Sequence, residues 1–462
     1  MTGDPSSAAP VVPTVATAAP DQVPWLTYLG LGLAAAALGA ITSIGVWLFN
    51  QAFNAIYNLT FNTIGGALQP IGAWTIALIP ALGGIGVALI MKFGTRPDKF
   101  AAMAHIIDQV TEHGGRLNLR NGVTYILASL LSLSVGAPVG TDTPSAMIGG
   151  HLASWFGQRF HRREVFIRAL VVAGVGAGIS ATFFAQLAAL FFAFEVVLGG
   201  LGGAVFVVPT LIAIAMSAMV NFWLNGTAAQ YTAHAVLTFH WNATLLLYMG
   251  AALGMTVVAV IYVNLLPLMG KFWAGVKVPY WVKPAIAGLI VGMVLLWQPD
   301  ILGSGLDQMK QIFSGMRFPL STLIALALLK LILTPMSLGS GFTGGVIAPA
   351  LLIGAALGYA YGYLANQLIP ALQLDPIAFA MVATAAMLAG TFQAPLFGTM
   401  MILEMTNHYG MLVPVLFGAA LAYALARYFQ PGSAYTFTLS GLGIRLKPGT
   451  FTIDRPSQED GG

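Results

Sequence analysis

Of the 462 residues, 58% are hydrophobic and only 7% are charged, where a soluble domain carries about 25% charged residues; an ordinary globular protein is excluded. The formal net charge of +4 is small for this length, and the basic residues are scattered between apolar runs, so nothing speaks for nucleic-acid binding. There are no cysteines, which removes disulfides, iron–sulfur clusters and thiol catalysis.

Apolar stretches of about 20 residues, the length that crosses a bilayer, recur from Trp25 to Tyr428. They do not alternate as barrel strands do. The chain therefore reads as an all-α polytopic membrane protein. Residues 1–24, rich in Ala, Pro, Thr and Val, lack the positive start of a signal peptide and read as a disordered tail. Trp25 to Asn50 is expected to form the first long helix and Ile71 to Met91 the second. Lys92, Arg96, Lys99, Arg116 and Arg120 make the interval between Lys92 and Arg120 a cytoplasmic candidate. The cluster Arg159, Arg162, Arg163 and Arg168 competes with it for that assignment.

From Val123 to Phe222 the apolar segments are short and interrupted by Gly, Pro and polar residues. Such segments predict helices that stop partway and line a cavity. The central stretch is Val139-Gly140-Thr141-Asp142-Thr143-Pro144-Ser145-Ala146-Met147-Ile148-Gly149-Gly150. Pro144 suits a first helical turn, with Thr143 or Asp142 as the cap before it. A helix starting at membrane depth presents free N–H groups and a positive dipole end, which can hold an anion. Asp142 could compete for that place, or could merely cap the helix.

Asn221 to Thr244 is the most polar interval in the middle, so the halves divide near it, as residues 25–225 and 226–440. Leu245 to Leu266, Pro284 to Trp297 and Ser321 to Leu333 are the hydrophobic segments of the second half. Residues 441–462 read as a short polar tail with no soluble domain after the membrane part. Two internal matches support duplication. Thr182-Phe183-Phe184-Ala185-Gln186-Leu187 through Glu195 aligns with Thr391-Phe392-Gln393-Ala394-Pro395-Leu396 through Glu404. Pro144, Ile148, Gly149 and Gly157 align with Pro349, Ile353, Gly354 and Gly362. Duplicated transporters place their sites at the repeat interface, where Asp142 and its counterpart Ile347 would fall.

The stretch Gly339-Ser340-Gly341-Phe342-Thr343-Gly344-Gly345-Val346-Ile347-Ala348-Pro349 closely resembles a signature of the CLC chloride channels and proton-coupled chloride transporters. Ala394-Pro395-Leu396 through Glu404-Met405-Thr406 is similar to a second family stretch and Ser433-Ala434-Tyr435-Thr436 to a third. The resemblance spans Trp25 to Leu446. It implies two inverted-topology repeats of tilted and partly spanning helices, a homodimer in the cell membrane, and an anion pathway in each subunit. It implies chloride as the bound substrate, protons as a second passenger, and no cofactor.

In the family a glutamate in a Gly-Arg-Glu-Gly-Pro motif is gate and proton carrier. Here the motif reads Gly140-Thr141-Asp142-Thr143-Pro144, so Asp142 takes the gating position with one methylene less, and Thr141 replaces the arginine. The resemblance assigns anion binding to Thr143, to the amides of Val346 and Ile347, and to the Tyr435 hydroxyl. Read without it, Tyr435 would be a membrane-interface anchor. The family's anion-binding serine falls at Ala101, which has no hydroxyl, so selectivity should be poorer. The intracellular proton glutamate should follow Glu195 directly, where Val196 stands. Glu195 itself is either structural or a candidate for the proton path.

Other features carry less. Gly339 to Gly345 lacks the Gly-Lys-Ser/Thr of a phosphate loop. Gly174 and Gly178 predict close helix packing. Lys330, inside an apolar run, needs a partner or a route to the interface, or lends positive potential to the pathway. His105, His113 and His151 have no metal-ligand spacing and read as surface or interfacial. An intramembrane enzyme would need further acids or a Ser/Lys dyad facing one cavity, and no catalytic or metal-binding residues are identified. Three transport readings stand: a proton-coupled transporter, an uncoupled channel with pH gating, and a scaffold that has lost transport.

Overall fold

A membrane chain whose apolar runs do not alternate satisfies its backbone in the bilayer by closing hydrogen bonds within helices. The computed structural model describes residues 25–94, 102–160, 162–200, 202–226, 244–316, 318–430 and 432–436, with an antiparallel pair of two-residue strands, Arg445–Leu446 and Ile453–Asp454, in the C-terminal segment. Ala101 and the expected N-terminal tail lie outside the described residues.

The first half holds α1 (Trp25–Tyr57), a single turn α2 (Gly66–Leu68), α3 (Leu78–Gly94), α4 (Ala102–Glu112), α5 (Leu119–Ser134), α6 (Asp142–Arg159), α7 (Glu164–Phe183), α8 (Gln186–Phe191) and α9 (Ala204–Asn225). The second holds α10 (Thr244–Gly275), α11 (Val282–Trp297), α12 (Leu306–Phe313), α13 (Leu320–Ser340), α14 (Ile347–Leu368), α15 (Pro376–Phe392), α16 (Pro395–Thr406) and α17 (Leu412–Phe429). Among the described residues, eight helical stretches are long and apolar enough to cross a membrane. The first helix runs seven residues beyond its expected end at Asn50. The second starts only at Leu78, because Gly72 and a short 3-10 turn over Ala73–Ala77 precede it.

The packing repeats itself. α6 lies on α7 as α14 lies on α15, and α1 packs on α9 as α10 packs on α17. Two elements meet their own counterparts, α3 on α11 and α8 on α16. The architecture is two repeats closed on each other. α7 and α15 are apolar around their whole circumference, which is the pattern of a buried helix, and Ala169–Phe183 and Ile377–Phe392 are indeed buried throughout.

Small residues make these crossings possible. A Cβ on Gly149 would strike the carbonyl of Gly174, one on Gly174 would strike that of Gly149, and one on Gly178 would strike that of Ser145. The expectation for Gly174 and Gly178 is met on α6. Without a hydrophobic force between helices in lipid, such close backbone approach supplies the packing energy. α3 and α11 cross in the same way and run antiparallel, with Gly84 against Pro284, Gly288 against Pro80 and Gly292 against Ala77.

The described members of the two basic clusters do not compete: they lie at one end of the molecule. Arg116 pairs with Glu164 at 3.4 Å, Gln158 donates to the Leu117 carbonyl at 3.0 Å, and Arg120 reaches the Phe93 carbonyl at 3.5 Å. The antiparallel crossing of α3 and α11 brings Lys283 to the same end as Lys92.

Candidate functional site

The two Gly-rich motifs, one per half, are joined by backbone. Gly140 N–H donates to the Gly345 carbonyl and Gly345 N–H donates to the Gly140 carbonyl, both at 2.7 Å. This bridge sets the start of α6 beside the start of α14, and both starts are buried. Two helix N-termini with their unpaired amides thus meet in the interior, where a negative group is favoured.

The group found there is the Asp142 carboxylate, which is fully buried. Its Oδ2 accepts from Ile347 N–H at 3.3 Å and its Oδ1 from Ala348 N–H at 3.4 Å. The hydroxyl of Thr143 lies 3.4 Å from Oδ2 and that of Tyr435 donates to Oδ2 at 3.5 Å. All four contacts are at the long end of the hydrogen-bond range. Among the described residues the ion pairs His113 with Asp108 and Arg116 with Glu164 lie elsewhere, and no Lys or Arg pairs with Asp142. Glycine at 345 and 140 is a steric requirement, because a Cβ at either position would overlap the Asp142 carboxylate.

This corrects the local expectation for Asp142 and Thr143. Neither caps α6: the helix begins at Asp142, Thr141 is its cap residue, and no side chain caps it. The Asp142 carboxylate instead crosses to α14, 205 residues away. Of the expected anion-binding groups, Ile347 and Thr143 surround the carboxylate, and the second amide is that of Ala348 rather than Val346. Val346 contributes its carbonyl, which accepts from the Tyr262 hydroxyl at 3.4 Å. Tyr435 is no interfacial anchor. It is buried, its ring is 5.3 Å from Phe392 and edge-on to Phe192 at 6.4 Å, and Ala434 N–H ties the segment to the Thr391 carbonyl at 2.9 Å.

Two further tyrosines were not singled out from the sequence. Tyr262 of α10 is fully buried. The Tyr125 hydroxyl of α5 accepts from Gly344 N–H at 3.3 Å, and about two turns along the same helix Ser132 accepts from Thr343 N–H at 3.1 Å. They hold the Gly-rich loop that feeds α14. A hydroxyl in the middle of a long apolar helix, as at Tyr262, is the signal that marks such a residue.

Glu195 lies elsewhere. Its two oxygens accept from Leu396 N–H (3.2 Å) and Phe397 N–H (2.8 Å), at the start of α16. Glu404 does the reverse, accepting from Leu187 N–H (2.9 Å) and Ala188 N–H (2.8 Å) at the start of α8. Donors and acceptors are both 209 positions apart (404 − 195 and 396 − 187), so the duplication has become a reciprocal clasp. That geometry gives Glu195 a capping role. Lys330 neither snorkels nor finds a carboxylate: fully buried, its ammonium donates to the Ile301 carbonyl at 2.9 Å and to that of Gly303. The interfacial expectation fails for His151, which is buried with Nδ1 3.0 Å from the Met147 carbonyl. Among the described residues no group of His, Asp or Glu could hold a metal ion.

The sequence and the fold match known proteins. A voltage-gated ClC-type chloride channel of Escherichia coli, ClcB, is 27% identical over 419 residues, 87% of this chain and 97% of the relative. The crystal structure of a slow cyanobacterial Cl−/H+ antiporter superposes with a TM-score of 0.81 at 23% identity, covering 89% of this chain and 97% of that one. A CLC-type fluoride/proton antiporter gives 0.75 at 20% identity, covering 90% and 99%. At these identities the structures speak for the fold. The family model described as voltage gated chloride channel matches residues 82–427. That is well over half of the sequence, and the chain belongs to this family, the CLC proteins, whose members are channels and transporters rather than enzymes.

Proposed function

We propose that this protein carries anions, chloride first among them, across the cell membrane along a path closed by Asp142. One observation carries the reading: a carboxylate occupies the place where two buried helix starts, the amides of Ile347 and Ala348 and the Tyr435 hydroxyl offer donors to an anion. An anion in the bilayer needs its hydration replaced by fixed donors. Ionised Asp142 takes those donors itself. Protonated, it loses the charge that holds it there and yields them to chloride, so the proton is the opening ligand.

Asp142 would then exchange one proton for one anion at the same donors, which supports counter-transport. The antiporter reading is favoured on this ground. Val196 in place of the family's intracellular glutamate supports the uncoupled channel instead, and Glu195 is in our reading a structural cap. The Escherichia coli relative is a chloride channel and the cyanobacterial neighbour an antiporter. Reconstitution in liposomes with simultaneous chloride and proton electrodes tests both. Chloride efflux that rises with acidity is expected. Efflux equal to that of empty liposomes from acid to neutral pH would end the transport reading.

The remaining assignments follow from the same reading. Residues 25–225 and 226–440 form the two membrane repeats, between the tails 1–24 and 441–462. The end bearing Lys92, Arg116, Arg120 and Arg159 faces the cytoplasm. The protein is a homodimer, associating through exposed apolar helix surfaces. Ala101 leaves the inner anion site without a hydroxyl, and selectivity between chloride, bromide and nitrate is correspondingly weak.

A further inference from the structure

Between the two basic stretches that meet at one end lies an open cleft of about 500 Å³, lined by Arg116, Asn118, Trp155, Gln158 and Arg159 among others. Its neutral polar walls are already occupied. Gln158 donates to the Leu117 carbonyl and to Ser154 Oγ (3.0 and 2.8 Å), and the Asn118 side chain accepts from Arg120 N–H at 3.0 Å. The arginines are less committed. Among the described residues no carboxylate pairs with Arg159, and Arg116 shares a solvent-exposed contact with Glu164 at 3.4 Å. Two guanidinium groups at one cleft suit a phosphate, whose oxygens match their planar fork.

Depth says where that phosphate comes from. Arg159 stands 17 residues beyond Asp142 on α6, roughly 25 Å along the axis at 1.5 Å per residue. Half the hydrocarbon thickness is about 15 Å. A tilted helix that starts in the interior therefore delivers its last turn to the headgroup layer. Trp155, about half exposed at 48%, lies one turn earlier, where tryptophan concentrates at membrane interfaces.

We propose that the Arg116–Arg159 cleft binds the phosphate of an anionic phospholipid headgroup. The full-length protein in mild detergent is titrated with phosphatidylglycerol, and the bound lipid is counted by native mass spectrometry. Phosphatidylcholine serves as the neutral comparator. One tightly held phosphatidylglycerol per chain is expected, bound at least tenfold more weakly by R116Q/R159Q. The control variant R162Q/R163Q removes the same charge outside the cleft and should change the affinity less than twofold. Equal losses in the two double variants, or no loss in the first, would overturn the proposal. Inorganic phosphate is added in a second arm. Displacement of the lipid at low millimolar phosphate would overturn the lipid assignment and make soluble phosphate the occupant. R159E, a change at an exposed position, repeats the test if R116Q/R159Q does not fold.

Discussion

Asp142→Ala removes the carboxylate that lies on the start of α14. Four donors reach it, at 3.3 to 3.5 Å. Contacts of that length fall short of a well-made charge-assisted bond, so roughly 0.5–1 kcal/mol each, or about 2–4 kcal/mol together, holds the gate shut. One factor of ten is about 1.4 kcal/mol. Neutral-pH chloride efflux should then rise on the order of 30- to 700-fold, if release of the gate limits transport, and become flat with pH. Coupled proton movement should disappear. Folding should survive, because the loss of these contacts is offset by removal of a buried charge that no cation balances. Liposome efflux with paired electrodes from pH 4.5 to 7.5 measures it, beside a melting curve in detergent. Acid-dependent flux that persists in Asp142→Ala would leave Asp142 only a structural cap for α14.

Tyr435→Phe removes one hydroxyl donor, and chloride binding by calorimetry should weaken about 2- to 10-fold, the equivalent of about 0.5–1.4 kcal/mol, with acid activation of efflux retained. Glu195→Gln and Glu404→Gln each place an amide N–H where a helix start offers its own, and should lower unfolding stability by about 1–3 kcal/mol without altering the pH profile; a changed pH profile for Glu195→Gln would reopen its place on the proton path. Gly149→Val forces a side chain into the Gly174 carbonyl and should cost about 3 kcal/mol, seen as loss of monodisperse protein. The control Gly254→Ala, where a Cβ meets nothing within 4 Å, should melt no lower than the parent.

Much of the architecture is legible from hydropathy alone, since twenty-residue apolar runs in lipid have few alternatives to a helix. The helix starts were legible too, because Pro144 and Pro349 mark first turns wherever they occur. What the sequence hides is the destination of a side chain. Capping rules are local, and they send Asp142 to its own helix; the Gly140–Gly345 bridge sends it to α14 instead. Tyr125 and Tyr262 enter the site through contacts 219 and 84 positions away; a hydroxyl within an apolar helix marks Tyr262 as unusual, but nothing local names its partner. His151 looked interfacial because an imidazole prefers water, yet bare Gly122 leaves room for the ring beside it and the Met147 carbonyl satisfies one nitrogen.

The chain uses one chemical device three times, a carboxylate laid on two amides at the start of a distant helix, and the differences between the three separate structure from function. Glu195 and Glu404 sit across the repeat boundary from each other, and three of their four bonds are 2.8 or 2.9 Å. Both side chains have the longer glutamate stem, and both are only partly buried. Such a clasp gains from being shut at all times. Asp142 is the fully buried member with the shorter stem, its contacts are all 3.3 Å or longer, and hydroxyls from Thr143 and Tyr435 attend it in addition to the amides. A purely structural cap has no use for a surplus of donors at long range. An anion that must be exchanged for a carboxylate does, because every donor released by the leaving group is then available to the arriving one, and no single bond is strong enough to trap either. The same logic accounts for the missing cation: a lysine or arginine at Asp142 would hold both the gate and the chloride too tightly to let them trade places.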